Sequence, residues 1–240
     1  MLKLEKATED METRKEHIRP AELTDPASSF RSLPSFETHD GMRLEMITDR
    51  GDRLLASTKR FITSLLNVYL QAITLTKPYE QVEEQVNMKH AYGNEWAMEE
   101  KLKRKDMVSP DALYLLVRHK LQNESETNLI GFLHYRFTFE EDIPVLYIYE
   151  LQVQSTFKGK GIGSYLIHLA EHIAQQNHMA AVLLTVQKTN LAALKFYTDK
   201  HKYIISSTSP SRVNTTIDVN YEILCKILTE EAKLVFDSPL

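Results

Sequence analysis

The sequence contains a single cysteine, Cys225, and only seven glycines in 240 residues. One cysteine excludes a disulfide within the chain, leaves no thiol cluster for a structural zinc, and is typical of a reducing compartment. No stretch approaches the roughly 20 apolar residues that span a bilayer, and the first residues, MLKLEKATED, lack the apolar core of a secretion signal. We therefore expect an intracellular protein without a membrane-inserted segment.

The chain also lacks an excess of positive charge. Its formal net charge is -4 and its pI is about 6.2, whereas a general nucleic-acid binder is normally basic. We expect no direct contact with nucleic acid. A mildly acidic protein instead attracts basic partners over about a Debye length.

Charge and periodicity divide the chain into three parts. Residues 1–20 are dense in charge and end at Pro20, with Pro26 soon after, so residues 1–40 are predicted to form a helical extension, partly wrapped or mobile. Residues 41–228 have globular patterning, and residues 229–240 are predicted to be a tail.

Apolar periodicity within the globular part predicts a mixed α/β sheet flanked by helices, because strands in hairpins are followed by strands that alternate with helices. The acidic segment 140–144 is predicted to be a hairpin turn. The predicted strands are 42–47, 113–117, 130–137, 145–153, 181–186, 203–206 and 219–224, and the predicted helices are 52–72, 79–105, 161–177 and 190–200.

A glycine-rich turn, Lys158-Gly-Lys-Gly-Ile-Gly163, lies between a predicted strand and a predicted helix. Glycines let the backbone approach a ligand, and the free N–H groups and dipole of a helix N-terminus favour an anion. The two lysines add positive charge, so we expect a pyrophosphate here, with a plain structural turn as the alternative. The order of residues in this turn matches neither a Walker A loop nor a dinucleotide-binding fingerprint.

Strict alternation along residues 145–153 places Glu150 on one side of the strand with Leu146 and Ile148. A carboxylate on an apolar face beside the glycine-rich turn is a candidate general base. An exposed or salt-bridged glutamate is the alternative. The side chains of Tyr147, Tyr149, Leu151 and Val153 are expected on the other side.

The glycine-rich turn resembles the R/Q-x-x-G-x-G/A signature of the GNAT acetyltransferases, with Lys158 in place of the first residue. The segment Thr189-Asn-Leu-Ala-Ala-Leu-Lys-Phe-Tyr197 is similar to the family's Asn-x-x-A-x-x-Phe-Tyr helix. The resemblance implies a GNAT fold of about seven strands and acetyl-coenzyme A as co-substrate. It also implies that Glu150 is the base and Tyr197 the acid that protonates the leaving thiolate.

Further segments resemble the branch of the family that acetylates histone N-termini; they are 145–153, 161–167, 184–190, 207–211 and 220–224. The resemblance implies tails of the H-four and H-two-A type, which begin Ser-Gly-Arg-Gly, as substrates. It also implies a cytoplasmic and nuclear location, and we expect a monomer. The implied cofactor-binding residues are Leu151, Gln152, Val153, Gly159, Lys160, Gly161, Ile162, Gly163, Ser164, Thr185 and Asn190. The implied substrate-binding residues are Trp96, Thr138, Glu140, Tyr149 and Tyr221.

One departure from that branch matters, because this sequence has Thr138 where the branch has an aspartate. The change removes an anion beside the incoming amine, and the acidic residues 140–142 are candidates to compensate. Trp96 and Tyr221 have core packing as their alternative. A lysine-directed or small-amine acetyltransferase, and an inert acyl-coenzyme A-binding scaffold, stay open.

No metal is expected. The segment His168-Leu-Ala-Glu-His172 spells a zinc-protease motif, but its polar residues fall on the side of the predicted helix opposite the apolar stripe. A solvated helix face is the better interpretation.

Overall fold

One twisted sheet dominates the computed structural model, which describes residues 35–75, 105–119, 128–213 and 219–238, without the side chains of residues 67–75. Neighbouring strands run antiparallel except for one parallel pair, β5 and β6. The eight strands within these residues are β1 Phe36–Glu37, β2 Arg43–Arg50, β3 Leu113–His119, β4 Asn128–Glu140, β5 Ile143–Val153, β6 Ala181–Gln187, β7 Ile204–Ile205 and β8 Tyr221–Ile227, in the order β1-β2-β3-β4-β5-β6-β8-β7.

Helices lie on both faces of this sheet. They are α1 Ala56–Leu75, α2 Ile162–Gln176, α3 Leu191–Lys195, α4 Pro210–Val213 and α5 Glu230–Phe236. A π-helical turn, Phe196–Lys200, continues α3, and a 3-10 turn, Ser155–Phe157, precedes α2. The predicted mixed sheet with flanking helices is confirmed. The predicted helix over 79–105 lies outside the described residues up to residue 104.

Two apolar layers cover the sheet. On what we call the α2 face, Leu133, Tyr135 and Ile148 pack beneath Leu166 and Ile173 of α2. On the opposite side, the α1 face, Tyr114, Leu116 and Phe132 pack against α1. The far end of the α1 face is covered by Phe236 of α5, which lies in the segment predicted to be a tail.

The hairpin between β4 and β5 is closed by the two residues Glu141 and Asp142, which have positive φ angles of 47° and 65°. Two consecutive left-handed residues are the geometry of a tight hairpin turn that matches strand twist. The acidic hairpin predicted at residues 140–144 is therefore confirmed. No helix among the described residues is long and apolar enough to cross a membrane.

Candidate active site

The two parallel strands in the middle of the sheet pair over only part of their length. The ladder joins Val145–Ile148 of β5 to Ala181–Leu184 of β6, although β5 continues to Val153 and β6 to Gln187. Beyond Ile148 and Leu184 the ladder between these two strands ends, so the edge of β5 that faces β6 keeps main-chain groups for another partner. We call this opening the split.

A β-bulge at Tyr149 marks the start of the split. In the pairing of β4 with β5, Tyr135 faces Ile148 and His134 faces Glu150, so Tyr149 is the extra residue. Cross-strand partners point to the same face, and an extra residue reverses the alternation beyond it. The prediction that Glu150 shares a face with Leu146 and Ile148 is therefore wrong.

Glu150 instead lies on the α1 face, where Gln152 donates to its carboxylate at 3.4 Å. The bulge also carries Leu151 and Val153 across to the α2 face, where both belong to the apolar layer under α2. Strict alternation had predicted the opposite side for these two residues. Glu150 therefore borders the split from the α1 face.

The glycine-rich turn adopts the geometry that an anion cradle needs. Gly159 and Gly161 have positive φ angles of 78° and 85°, and Gly161 is the N-cap residue of α2. The first intrahelical hydrogen bond runs from Tyr165 N to Gly161 O at 3.0 Å. Helix geometry therefore leaves the N–H groups of residues 162–164 without intrahelical acceptors, at the positive end of the helix dipole.

Aromatic side chains support this turn from two directions. A Cβ at Gly163 would lie 3.5 Å from the Phe196 ring, so α2 and the π-helical turn approach closely. The rings of Phe36 and Tyr165 stack with centroids 4.5 Å apart. Lys160 forms an ion pair with Asp40 in the turn between β1 and β2.

Tyr197 belongs to the apolar layer of the α2 face. Its ring is buried and packs edge-on against Phe196 and Tyr203, at centroid distances of 5.0 and 5.8 Å. Asn190 begins the preceding helix, as predicted, because its side chain accepts from Ala193 N at 3.1 Å. The two candidate catalytic groups, Glu150 and Tyr197, therefore lie on opposite faces of the sheet.

Tyrosines gather on the α1 face beside the split. The Tyr147 hydroxyl lies 2.5 Å from Thr185 Oγ1, so this hydrogen bond joins β5 to β6 just where their main-chain pairing ends. Burial raises the pKa of Tyr147 to about 12, and the nearby Glu140, Tyr149 and Tyr221 also raise it. Three of the predicted substrate-binding residues, Glu140, Tyr149 and Tyr221, thus act electrostatically on one phenol, and the Tyr149 ring contacts it directly.

Glu140 adds an acidic group to the α1 face. Burial, and then the neighbouring charge of Glu141, raises the pKa of the Glu140 carboxyl above its usual value. Thr138 lies two residues earlier on β4, opposite Val145, and so points to the same face as Glu140. Trp96 lies outside the described residues.

A buried carboxylate fixes the segment around Tyr221. Glu222 accepts from the hydroxyl groups of Ser209 and Ser211, both at 2.6 Å, and pairs with Lys188 at 3.5 Å. Burial would raise the pKa of Glu222, but these hydrogen bonds and the ammonium outweigh it, so the pKa lies below its usual value. The β6–α3 loop and the segment before α4 are thereby tied to β8.

Sequence reasoning did not assign a role to Tyr147, His134 or Arg136. His134 is 2% exposed and stacks between Tyr114 and Tyr149, and Arg136 lies over the Tyr149 ring. Alternation along β4 places His134 and Arg136 on the same strand face as Glu140, which is the signal that was available for these two residues. No group of three or more His, Cys, Asp or Glu residues in the described part of the chain is arranged to hold a metal ion.

Comparison with known proteins identifies the architecture. Residues 79–203, just over half of the chain, match the Acetyltransferase (GNAT) family. The fold predicted from the glycine-rich turn and the Asn190–Tyr197 helix is thereby confirmed, with eight described strands in place of about seven.

Two curated proteins match shorter stretches. Streptothricin acetyltransferase A of Bacillus subtilis is 35% identical over 60 residues, which are 25% of this chain and 34% of that protein. N-alpha-acetyltransferase 60 of Xenopus tropicalis is 40% identical over 67 residues, which are 27% of this chain and 28% of that protein. The chain thus spans about a third or less of the length of these curated relatives.

Solved structures of similar shape include the PaiA N-acetyltransferase of Thermoplasma acidophilum in complex with coenzyme A. It is 17% identical, has a TM-score of 0.46, and is matched over 77% of this chain and 99% of that one. The NatC complex bound to Gag peptide and coenzyme A is 18% identical, with a TM-score of 0.47 and the same two coverages.

Proposed function

Because the chain belongs to the acetyltransferase (GNAT) family, we propose that it transfers an acetyl group from acetyl-coenzyme A to the N-terminal α-amine of a peptide chain. The stretch that is 40% identical to N-alpha-acetyltransferase 60 supports this class of acceptor. Within the class we propose the activity of NatD, the branch that acetylates histone N-termini, on tails that begin Ser-Gly-Arg-Gly, in the cytoplasm and nucleus. The resemblance of residues 145–153 to the NatD strand supports this choice.

One structural observation carries the proposal. Glu150 borders the split from the α1 face, and Tyr197 belongs to the apolar layer on the opposite, α2 face of the same sheet. Acyl transfer to an amine needs a proton acceptor where the amine enters and a proton donor where the thiolate leaves. Two groups that can transfer protons, on opposite faces of the sheet, fit that requirement.

The residues around the split fit coenzyme A. The N–H groups at the start of α2 and the side chains of Lys158 and Lys160 offer hydrogen bonds and positive charge to a pyrophosphate. The unpaired edge of β5 at Leu151 to Val153 can accept and donate hydrogen bonds to an extended chain that contains amides, as a sheet edge does with an added strand. The positive φ angles at Gly159 and Gly161 permit the close approach.

The chemistry divides between the two faces. Bound acetyl-coenzyme A supplies a thioester, whose carbonyl carbon forms a bond to the amine nitrogen while its bond to sulfur breaks. An N-terminal amine has a pKa of about 8 and is mostly protonated at neutral pH, so Glu150 takes its proton directly or through one water. Tyr197 donates a proton to the departing sulfur.

The acceptor pocket suits a small, basic N-terminus. Tyr149 is 44% exposed and offers an aromatic wall, and Tyr221 is near enough to Tyr147 to raise its pKa. Glu140 brings a carboxylate to the same face, where it would attract the arginine at the third position of Ser-Gly-Arg-Gly. Aromatic walls reject a bulky first residue sterically, and such rejection costs more than one lost surface ion pair.

Mass spectrometry of peptides incubated with acetyl-coenzyme A tests the proposal. We expect acetylation of Ser-Gly-Arg-Gly peptides, little of peptides that begin Met-Leu, and none when the α-amine is blocked while lysines stay free. The Glu150→Gln variant is the matched control for spontaneous acetylation. Equal turnover of blocked and free peptides would contradict α-amine specificity.

A small amine is the second candidate acceptor. The stretch that is 35% identical to Streptothricin acetyltransferase A favours it. Incubation with streptothricin in the same assay separates the candidates, because an α-amine enzyme of the proposed kind acetylates the free peptide and leaves the antibiotic unchanged.

A further inference from the structure

Three rings from three neighbouring strands form a continuous stack on the α1 face. Tyr114 of β3 and His134 of β4 stack with centroids 4.8 Å apart and an interplanar angle of 13°. His134 and Tyr149 of β5 stack at 5.1 Å and 27°. The Arg136 guanidinium lies 4.9 Å from the centroid of the Tyr149 ring.

Both ends of this stack are tied to the segment that precedes β3. The Tyr114 hydroxyl donates to Met107 O at 2.8 Å, and Arg136 Nη2 donates to Asp106 O at 2.6 Å. Tyr114 and His134 are 0% and 2% exposed, whereas Tyr149 is 44% exposed. The stack is therefore fixed inside the protein and open only at the Tyr149 ring.

Because of the bulge, the strand itself does not set the direction of the Tyr149 ring. An ordinary strand residue has its direction set by the pleat and by a cross-strand partner, but Tyr149 is the extra residue and has no partner in the β4 ladder. Ring contacts with His134, Arg136 and Tyr147 are what orient it. Stacked and cation–π contacts are directional, so they set the plane of the ring.

We propose that His134 and Arg136 are positioning residues that hold the Tyr149 ring as a rigid wall of the acceptor pocket, and that this wall determines the size of the first residue accepted. This inference rests on the proposed function, because it assigns Tyr149 to the acceptor side. A Tyr149 ring that is fixed by its contacts with His134 and Arg136 cannot rotate to make room for a larger side chain. A freed ring would bind the small residue less well and reject the large one less strictly.

The contrast between His134→Phe and His134→Leu tests the stack. Phenylalanine keeps an aromatic ring between Tyr114 and Tyr149, whereas leucine fills the space without one. We expect the phenylalanine variant to keep the KM for Ser-Gly-Arg-Gly peptide within about twofold. The leucine variant should raise that KM about five- to tenfold, with kcat within about threefold, and should narrow the discrimination against a bulky first residue.

Arg136→Gln is a second variant that leaves the buried ring in place. It removes the cation over Tyr149 and should raise the peptide KM about two- to fivefold, while Arg136→Lys should recover part of the loss. Calorimetric titration of acetyl-coenzyme A should give the same affinity for all four variants. A change in that affinity would mean a general structural effect and would overturn the positioning role.

Two kinetic outcomes contradict the proposal directly. The first is a fall in kcat of more than tenfold in His134→Phe while the KM stays constant. That result would mean that the imidazole acts on its neighbour Glu150 and does not serve to position Tyr149. If His134→Leu leaves the KM and the discrimination unchanged, the stack does not position the wall.

Failure of the proposed function is recognised separately. If the wild-type protein acetylates no peptide, that function is wrong, and the stack is then tested by the ring-current shifts of the Tyr149 protons in solution NMR. Those shifts should move toward random-coil values in His134→Leu and persist in His134→Phe. Persistence in both variants would overturn the stack as well.

Discussion

Asp40, in the turn between β1 and β2, forms an ion pair with Lys160 of the glycine-rich turn. The acidic turn is itself fixed, since Met42 N donates to Thr38 Oγ1 at 3.0 Å and the Thr38 hydroxyl donates to the Asp40 carboxylate. Hydrogen bonds from Lys160 and Thr38 lower the pKa of Asp40 to about 2, so the residue is ionised at neutral pH. A carboxylate of the protein itself is thus paired with the Lys160 ammonium that we expect to face a pyrophosphate.

Replacing Asp40 by asparagine should strengthen the binding of acetyl-coenzyme A. The substitution releases Lys160 and removes an anion beside the pyrophosphate, and for a solvent-accessible pair the gain should be about two- to fivefold in Kd at low salt and smaller at high salt. Calorimetric titration measures it. An acetyl-pantetheine thioester, which lacks the pyrophosphate, is the matched control and should bind equally to both proteins. Weaker binding by Asp40→Asn would mean that Asp40 orients Lys160 instead of competing for it.

Gly161→Glu should abolish measurable binding of acetyl-coenzyme A. The substitution places a negative charge at the start of α2, where φ is 85° and where a Cβ would already lie 3.4 Å from the Phe36 ring. Gly161→Gln is the control, because it carries the same backbone strain and the same volume without the charge. Titration of both variants separates the two effects, and equal losses would show that strain, not charge, is responsible.

How well the sequence predicts a structural feature depends on how far apart in the chain the interacting residues lie. Strands such as Leu113–His119 and the helix that begins at Asn190 follow from local periodicity and capping, and these were predicted correctly. Glu150 was assigned to the wrong face because alternation assumes that every residue has a cross-strand partner, and a single extra residue at Tyr149 breaks that assumption. The contact between Asp40 and Lys160 joins residues 120 positions apart, so no local sequence pattern predicts it. Strand β1, with two residues, is too short to show any period.

Glu150→Gln should lower kcat by about 10² to 10⁴ while leaving the affinity for acetyl-coenzyme A nearly constant. The amide keeps the size of the side chain and its place beside Gln152, but it cannot accept the amine proton. Single-turnover kinetics and calorimetry report the two quantities. A kcat within a few-fold of wild type across neutral pH would mean that the proton leaves by another route and that Glu150 is structural.

Glu222→Gln should destabilise the protein by about 1–3 kcal/mol at pH 7, because an ionised acceptor of two hydroxyl groups and one ammonium is lost from a buried position. The lowered pKa of Glu222 fixes the pH dependence. Its stabilising contribution is present above the ordinary carboxyl pKa and is lost as the pH falls through the lowered value. Urea unfolding of both proteins between pH 3 and 7 should therefore show a difference that shrinks toward acid. Ser211→Ala, which removes one donor only, should show a smaller effect.

Specificity for a basic tail should reside partly in Glu140, whose replacement by glutamine should raise the peptide KM more than it lowers kcat. The binding energy gained from the third residue of the peptide is nearly equal in the ground state and the transition state, so its loss appears mainly in KM. Because burial raises the pKa of Glu140, its carboxyl gains a proton at a higher pH than an ordinary glutamate as the solution is acidified. The wild-type KM for Ser-Gly-Arg-Gly should accordingly rise as the pH falls through that raised value, whereas the KM of Glu140→Gln should not. A Ser-Gly-Ala-Gly peptide removes the partner cation and should abolish the difference between the two proteins. If the difference persists with that peptide, Glu140 acts on the pocket and not on the arginine.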